Sequence, residues 1–272
     1  MLATAVMLGS LILMAATRPT KEIMVDQCTI TNTTFEGGEK LVYKMYYNLG
    51  LLWVPAGEVI FQVTESDNQY ELKAIGKTSS SYEKIFKVND YFYSKVDKNT
   101  LLPSNFVRIV EEGKYRLYDS IAFDQQKNVA VSYHGKTRKT ASQQTHQLNQ
   151  CMQDMVSNIY FMRNLETSDM KKGDKIPVKM FFDKAVYPIQ VTYGGKYKKE
   201  IKALGQYNTI MMIPDVVEGN VFKKGDHMSI WVSDDRNRVP LMIESPLSVG
   251  SVKAVLKSHS GLKYSLDSKI ND

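Results

Sequence analysis

Hydrophobic and polar residues alternate with a period of two along most of this chain. In EKLVYKMYYN (residues 39–48), Leu41, Tyr43, Met45 and Tyr47 fall on one face, with Val42, Lys44 and Tyr46 on the other. That is the pattern of a half-buried strand. It returns in GEVIFQVTE, QYELKAIGKT, EKIFKVNDYFYSKVD, SNFVRIVEEG, KYRLYDSIAFD and KNVAVSYHG, separated by short polar or glycine-containing breaks such as ESDNQ and EEGK. Strand following strand with no helix between them predicts an antiparallel meander. Further strands resume with DKIPVKMFFD and continue through VYPIQVTYGG, KYKKEIKALG, YNTIMMIPDVV, DHMSIWVSDD, RVPLMIES and SVKAVLKSHS.

One stretch departs from this period. NQCMQDMVSNIYFMRNLE places Met152, Met155, Val156, Ile159 and Met162 at helical spacing, with Asn149 positioned to cap the start. The expected fold is therefore mainly β, with curved antiparallel sheets, partly open and barrel-like, and one substantial helix near 149–165. A methionine-rich stripe packs adaptably, so Met152, Met155, Ile159 and Met162 are candidate contacts for an apolar ligand as well as candidate core. Pro177, Pro188, Pro214 and Pro240 lie inside apparent strands and predict edges, bulges or strand starts. KKGD occurs twice, at Lys171 and Lys223, each time before a strand, as a glycine-containing turn.

Residues 2–16, LATAVMLGSLILMAA, carry no charge and match the length of a signal-peptide core, although no basic residue precedes them. A buried N-terminal helix is the rival reading. The organisation expected is a signal peptide (1–17), a linker (18–34), one β-rich domain (35–262) and a tail (263–272). Lipidation is disfavoured, because Cys28 follows the polar MVDQ rather than small residues. Cys28 and Cys151 are the two cysteines, and in an oxidising compartment they invite a single disulfide, against the alternative of two unrelated buried thiols.

Charge adds one local feature. The net +6 is carried by residues 171–202, where nine Lys face only Asp174, Asp183 and Glu200. This is a solvated strand face or a contact with an anionic surface. Nucleic acid is not an expected partner of an exported chain. No cofactor is implied: nucleophile-elbow, Walker, dinucleotide-binding and zincin motifs are absent, and His134, His146, His227 and His259 share no metal-ligand spacing. Asp234 and Asp235 in WVSDDRNRVP raise the possibility of an acid/base pair. Their setting, between two apolar alternations, reads instead as an exposed hairpin tip whose carboxylates have weak partners. Trp53, beside Pro55 and Gly57 in LLWVPAGEV, is either a ligand rim or a packed hairpin corner.

FEGGEKLVYKMYYN, VPAGEVIFQV, DMVSNIYFMRNL, IWVSDDRNRVPLMIE and VGSVKAVL together resemble the landmarks of domain-of-unknown-function family 3108, in order from Phe35 to Leu256. The resemblance implies an exported protein of the Gram-negative envelope, periplasm or outer-membrane periphery, with a β architecture. It transfers no catalytic residue. The function expected is non-catalytic binding of an apolar or amphipathic molecule such as lipid, or of an envelope partner. A glycan-binding or glycan-assembly module and a hydrolase with a dispersed site are the alternatives.

Overall fold

The computed structural model describes residues 20–49, 52–83, 86–215, 227–247 and 250–270. The leader and the second KKGD lie outside the described residues. Among these residues one antiparallel sheet of 14 strands makes up the fold, in the order β8-β7-β6-β5-β4-β3-β2-β1-β14-β13-β12-β11-β10-β9. Its first half is β1 (Lys40–Leu49), β2 (Leu52–Glu65), β3 (Gln69–Thr78), β4 (Asn89–Asp97), β5 (Pro103–Glu112), β6 (Tyr115–Asp124), β7 (Val129–Gly135) and β8 (Ser142–Gln147). Its second half is β9 (Lys175–Phe182), β10 (Ala185–Ile201), β11 (Gly205–Pro214), β12 (Ser229–Ser233), β13 (Pro240–Pro246) and β14 (Ser251–Ser260). Each half is a meander, as the alternation predicts, and β1 joins β14 at the centre. The two free edges, β8 and β9, come from the middle of the chain. They approach through side chains, with the His146 and Phe181 rings 5.0 Å apart, so the barrel-like sheet curls without closing.

A single turn, α1 (Ser80–Glu83), precedes β4, and the substantial helix, α2 (Met155–Arg163), lies between β8 and β9 in the chain. It is shorter than the 149–165 expected, and its cap is Asp154 rather than Asn149. The Asp154 carboxylate accepts from the Val156 and Ser157 N–H groups, while the Ser157 hydroxyl accepts from the Asp154 N–H. Residues before Asp154 cannot extend the helix, because Gln153 is engaged as a strand: its N–H donates to Lys179 O and its carbonyl accepts from Phe181 N. Val156 and Tyr160 pack with Phe35, Leu72, Phe106 and Ile121 in one core cluster, and Phe161 joins a second with Ile176, Val191 and Ile210. A third cluster gathers Leu41, Tyr43, Trp231 and Leu241 around the β1–β14 seam.

Asp154 is fully buried, and burial pushes its carboxyl up to about 6 even though Ser94, Ser157 and Val156 donate to it. A folded-state value above the ordinary 3.8 means that the folded chain holds this proton more tightly than the unfolded one. The stability it contributes is therefore complete below about pH 4 and lost as pH rises through about 6. Urea unfolding between pH 4 and 7 is expected to show the wild type losing about 3 kcal/mol relative to Asp154→Asn, which cannot titrate. A difference that stays flat with pH would overturn this.

The β9 edge is covered along its length. Lys175 N donates to Lys21 O and Ile23 N to Lys175 O. Pro177 has no N–H to satisfy, which is why proline is tolerated there. The Gln27 side chain brackets Lys179, accepting from its N–H at 3.0 Å and donating to its carbonyl at 3.3 Å. Cys28 and Cys151 form the expected disulfide, tying together the two segments that shield this edge. Pro188 is harmless for a related reason, because β10 outruns β11 there and the β10–β11 pairing begins only at Val191.

Candidate functional site

The connection between β12 and β13 is a hairpin turn, as the alternation on either side predicts, but it is not an exposed tip. The Asp235 carboxylate accepts from the Ser233 hydroxyl and from the Asn237 and Ser268 N–H groups. Asn237 is fully buried: its side-chain amide donates to Tyr264 O and Ser265 O and accepts from Tyr264 N. Its carbonyl accepts from Arg163 at the end of α2, through Nη2 at 3.0 Å and Nε at 3.2 Å. The guanidinium then holds Glu39 in a bidentate pair, Nη1–Oε1 2.6 Å and Nη2–Oε2 2.8 Å, with the two side chains 3% and 1% exposed. The rings of Phe35 and Tyr160 lie beside the guanidinium, their centroids 5.6 and 5.3 Å from its Cζ. Burial opposes the charge on Arg163, yet the Glu39 carboxylate more than offsets it and holds the guanidinium protonated. SDDRN thus belongs to a knot that joins the N-terminal segment, α2 and the C-terminal segment. The expectation of weakly partnered carboxylates fails for Asp235 because Ser233 and Asn237 donate to it from within the turn and Ser268 adds a third donor from the C-terminal segment. Asp234, by contrast, is met by Lys196 at 2.9 Å.

A second polar cluster lines the inside of the sheet. Arg108 on β5, Asp119 on β6 and His134 on β7 are direct cross-strand partners, so they form a row. All three occupy inward positions otherwise held by Phe106, Val110, Leu117, Ile121 and Ala130. The β9–β10 turn brings Asp183 onto this row: its N–H donates to Asp119 Oδ2 at 3.2 Å, and Arg108 Nη2 donates to its Oδ1. His134 Nδ1 stands 3.5 Å from Asp119 Oδ1 and 3.7 Å from Asp183 Oδ1. Beside the row, the buried Ser132 hydroxyl is 2.8 Å from His146 Nε2, and burial lowers the affinity of His146 for its proton. Spacing along the sequence gave no hint of this grouping. The legible signal was a charged or imidazole side chain at the apolar register of three successive strands.

On the outer face of the same strands lies a cleft of about 660 Å³. Val107, Ile109 and Tyr118 form its floor, with Arg116, Lys136 and Arg138 at the rim together with Glu111. Gly135 lets the loop after β7 fold back over it, since a side chain there would meet Thr140 O at 2.8 Å. A second cleft, of about 410 Å³, lies over the Arg163 knot and is walled by Thr33, Glu166, Arg236, Arg238 and Tyr264.

The residues singled out from the sequence are not brought together at either cleft. Met152 is buried in the first core cluster, Met155 and Ile159 pack against it, and Met162 packs against the cluster around Phe161. Trp53 sits at the far end of the β1–β2 hairpin, 39% exposed, with Lys253 Nζ 4.5 Å above its ring. Gly57 does permit a close approach, but to β3: a side chain there would lie 2.2 Å from Lys77 O.

The architecture defines a class, the mainly β proteins built on one curled, barrel-like sheet. Within it, the model of the family "Protein of unknown function (DUF3108)" matches residues 42–257, and the chain belongs to that family. The crystal structure of a beta-barrel-like protein of domain of unknown function DUF1849 from Brucella abortus superposes with a TM-score of 0.55 at 7% identity. It covers 85% of this chain and 100% of that one, and the likeness is one of fold. A protein inferred to be exported, with a YmcC-like fold, from Bacteroides fragilis covers 86% of this chain and 100% of its own at 12% identity, but its TM-score of 0.33 carries no argument. No curated protein matches the sequence.

Proposed function

We propose that this protein is an exported, non-catalytic envelope component that binds an amphipathic molecule with an apolar tail and an anionic head. The outer cleft of β5 and β6 carries the reading: an apolar floor of Val107, Ile109 and Tyr118 beneath a rim of Arg116, Lys136 and Arg138. Its volume of about 660 Å³ falls within the range of ligand clefts. Membership of a family of unknown function fits a role without catalysis. The Cys28–Cys151 disulfide is the chemistry of an oxidising compartment and supports export to the periplasm. Exposure of Lys171, Lys172, Lys184, Lys198 and Lys202 supports contact with an anionic surface.

A fluorescent fatty-acyl probe is expected to bind the mature protein saturably and more weakly as salt rises, because the rim charges are solvated. Ile109→Glu and Arg138→Glu should each weaken binding by about tenfold or more, since one places a charge on the apolar floor and the other repels the head group. Titrations in which neither substitution alters affinity would overturn the cleft as the site. Absence of saturable binding would overturn the function.

A further inference from the structure

We infer that Asp119, His134 and Asp183 form a binding site for one divalent transition-metal ion, independent of the ligand reading above. One donor atom each of Asp119, His134 and Asp183 lies within 4.8 Å of the other two. The two histidine–carboxylate separations are 3.5 and 3.7 Å. Tetrahedral ligands at ordinary zinc–nitrogen and zinc–oxygen bond lengths stand about 3.3–3.6 Å apart, so the two histidine–carboxylate separations already fit, and the two carboxylates, within 4.8 Å of each other, need only close by up to about 1 Å. One imidazole with two carboxylates is a donor set of borderline hardness, suited to Zn²⁺ and its first-row neighbours.

An independent observation points to a missing partner. Asp119 is fully buried, and although its Oδ2 accepts the Asp183 N–H, its Oδ1 has no hydrogen-bond partner among the described residues. His134 Nδ1, which faces it, has none either. A buried carboxylate oxygen left in this state is costly, and a cation at the centre of the three donors removes the cost. Pairing of β6 with β7 places Asp119 directly opposite His134, so two of the ligands are held by the sheet itself. Side-chain exposures of 23% for His134 and 34% for Asp183, against 0% for Asp119, leave one side open for an ion to enter and for water to complete its coordination.

The charged groups around the site set its competition. Arg108 Nη2 ion-pairs with Asp183 Oδ1 and stands 3.7 Å from Asp119 Oδ2, so guanidinium and metal share the same carboxylates. Lys184, next in the chain to Asp183, is exposed. With His134 neutral, as a ligand must be, two carboxylates and one guanidinium leave the group with a net negative charge that a divalent ion reverses.

The test is calorimetric titration of the untagged mature protein, stripped with EDTA, with ZnCl₂, alongside the visible absorption of bound Co²⁺. One Zn²⁺ per chain is expected. His134→Gln and Asp183→Asn, both at partly exposed positions and so expected to fold, should each weaken binding about tenfold or more. Arg108→Gln should strengthen it, by removing the competing cation. Failure of the wild type to bind Zn²⁺, or binding unchanged in both ligand variants, would show that Arg108 is the only cation this cluster holds and would overturn the site. Thermal melts of each variant separate loss of ligand from loss of fold.

Discussion

Arg163→Met is expected to lower the free energy of unfolding by about 3–5 kcal/mol, because it strands Glu39 as an unpaired buried carboxylate. The side chains of this pair are almost fully enclosed, and Arg163 also serves the carbonyls of Asn237 and Thr34. Its removal therefore leaves several acceptors without a donor, beyond the loss of one ion pair. Arg163→Lys should rescue little, since an ammonium cannot span both Glu39 oxygens and reach Asn237 with the geometry of a planar fork. The double variant Glu39→Gln with Arg163→Met should recover a substantial part of the loss, as it removes the orphaned charge. Urea denaturation of the wild type, Arg163→Met, Glu39→Gln and the double variant measures the coupling. A cost below about 1 kcal/mol for the single change would place the pair among ordinary surface contacts and refute the buried knot.

Replacing Cys28 and Cys151 by serine is expected to cost about 4–5 kcal/mol, the loop-closure entropy of a cross-link spanning more than a hundred residues. The link joins residues 123 apart in sequence. Its local consequence distinguishes it from a generic cross-link: it holds the segment from Lys21 to Cys28, and the one from Cys151 to Gln153, against the β9 edge. Hydrogen exchange of the variant should therefore accelerate most at the Lys175, Lys179 and Phe181 amides, whose acceptors lie in those segments. Equal protection of these amides with and without the disulfide would dissociate it from edge protection. An uncovered β9 would present unpaired backbone groups to other chains, so association of the serine variant at higher concentration is part of the same expectation.

Period-two alternation was enough to place nearly every strand, because in a sheet with one buried face each side chain is committed to one side by the geometry of the pleat. The helix was legible from its apolar spacing, but its start was not. The competition there is between Asn149, exposed beside an apolar run, and Asp154, whose carboxylate has two backbone donors only because Gln153 is already paired with β9. Pairing of the two cysteines was legible because only one pairing was possible. The stripe of Met152, Met155, Ile159 and Met162 was legible as apolar, but periodicity carries no information on whether a core or a cavity lies opposite it. Met152 lies against the first core cluster and Met162 against another.

What the chain determined by itself is thus local: strand after strand, one amphipathic helix, one possible disulfide, and an inward or outward sense for each side chain. Tertiary structure decided which distant positions meet. The two meanders join through β1 and β14, so the middle of the chain forms both edges and the β9–β10 turn reaches the inner wall of β5 to β7. Only that docking sets Asp183 beside Asp119 and His134, and only the return of residues 264–268 turns SDDRN from a solvated tip into the anchor of Arg163. The physical reason is one of range. Alternation and capping act over a few residues and leave their mark in sequence, whereas a buried charge is stabilised by whichever partner the completed fold brings within about 3 Å.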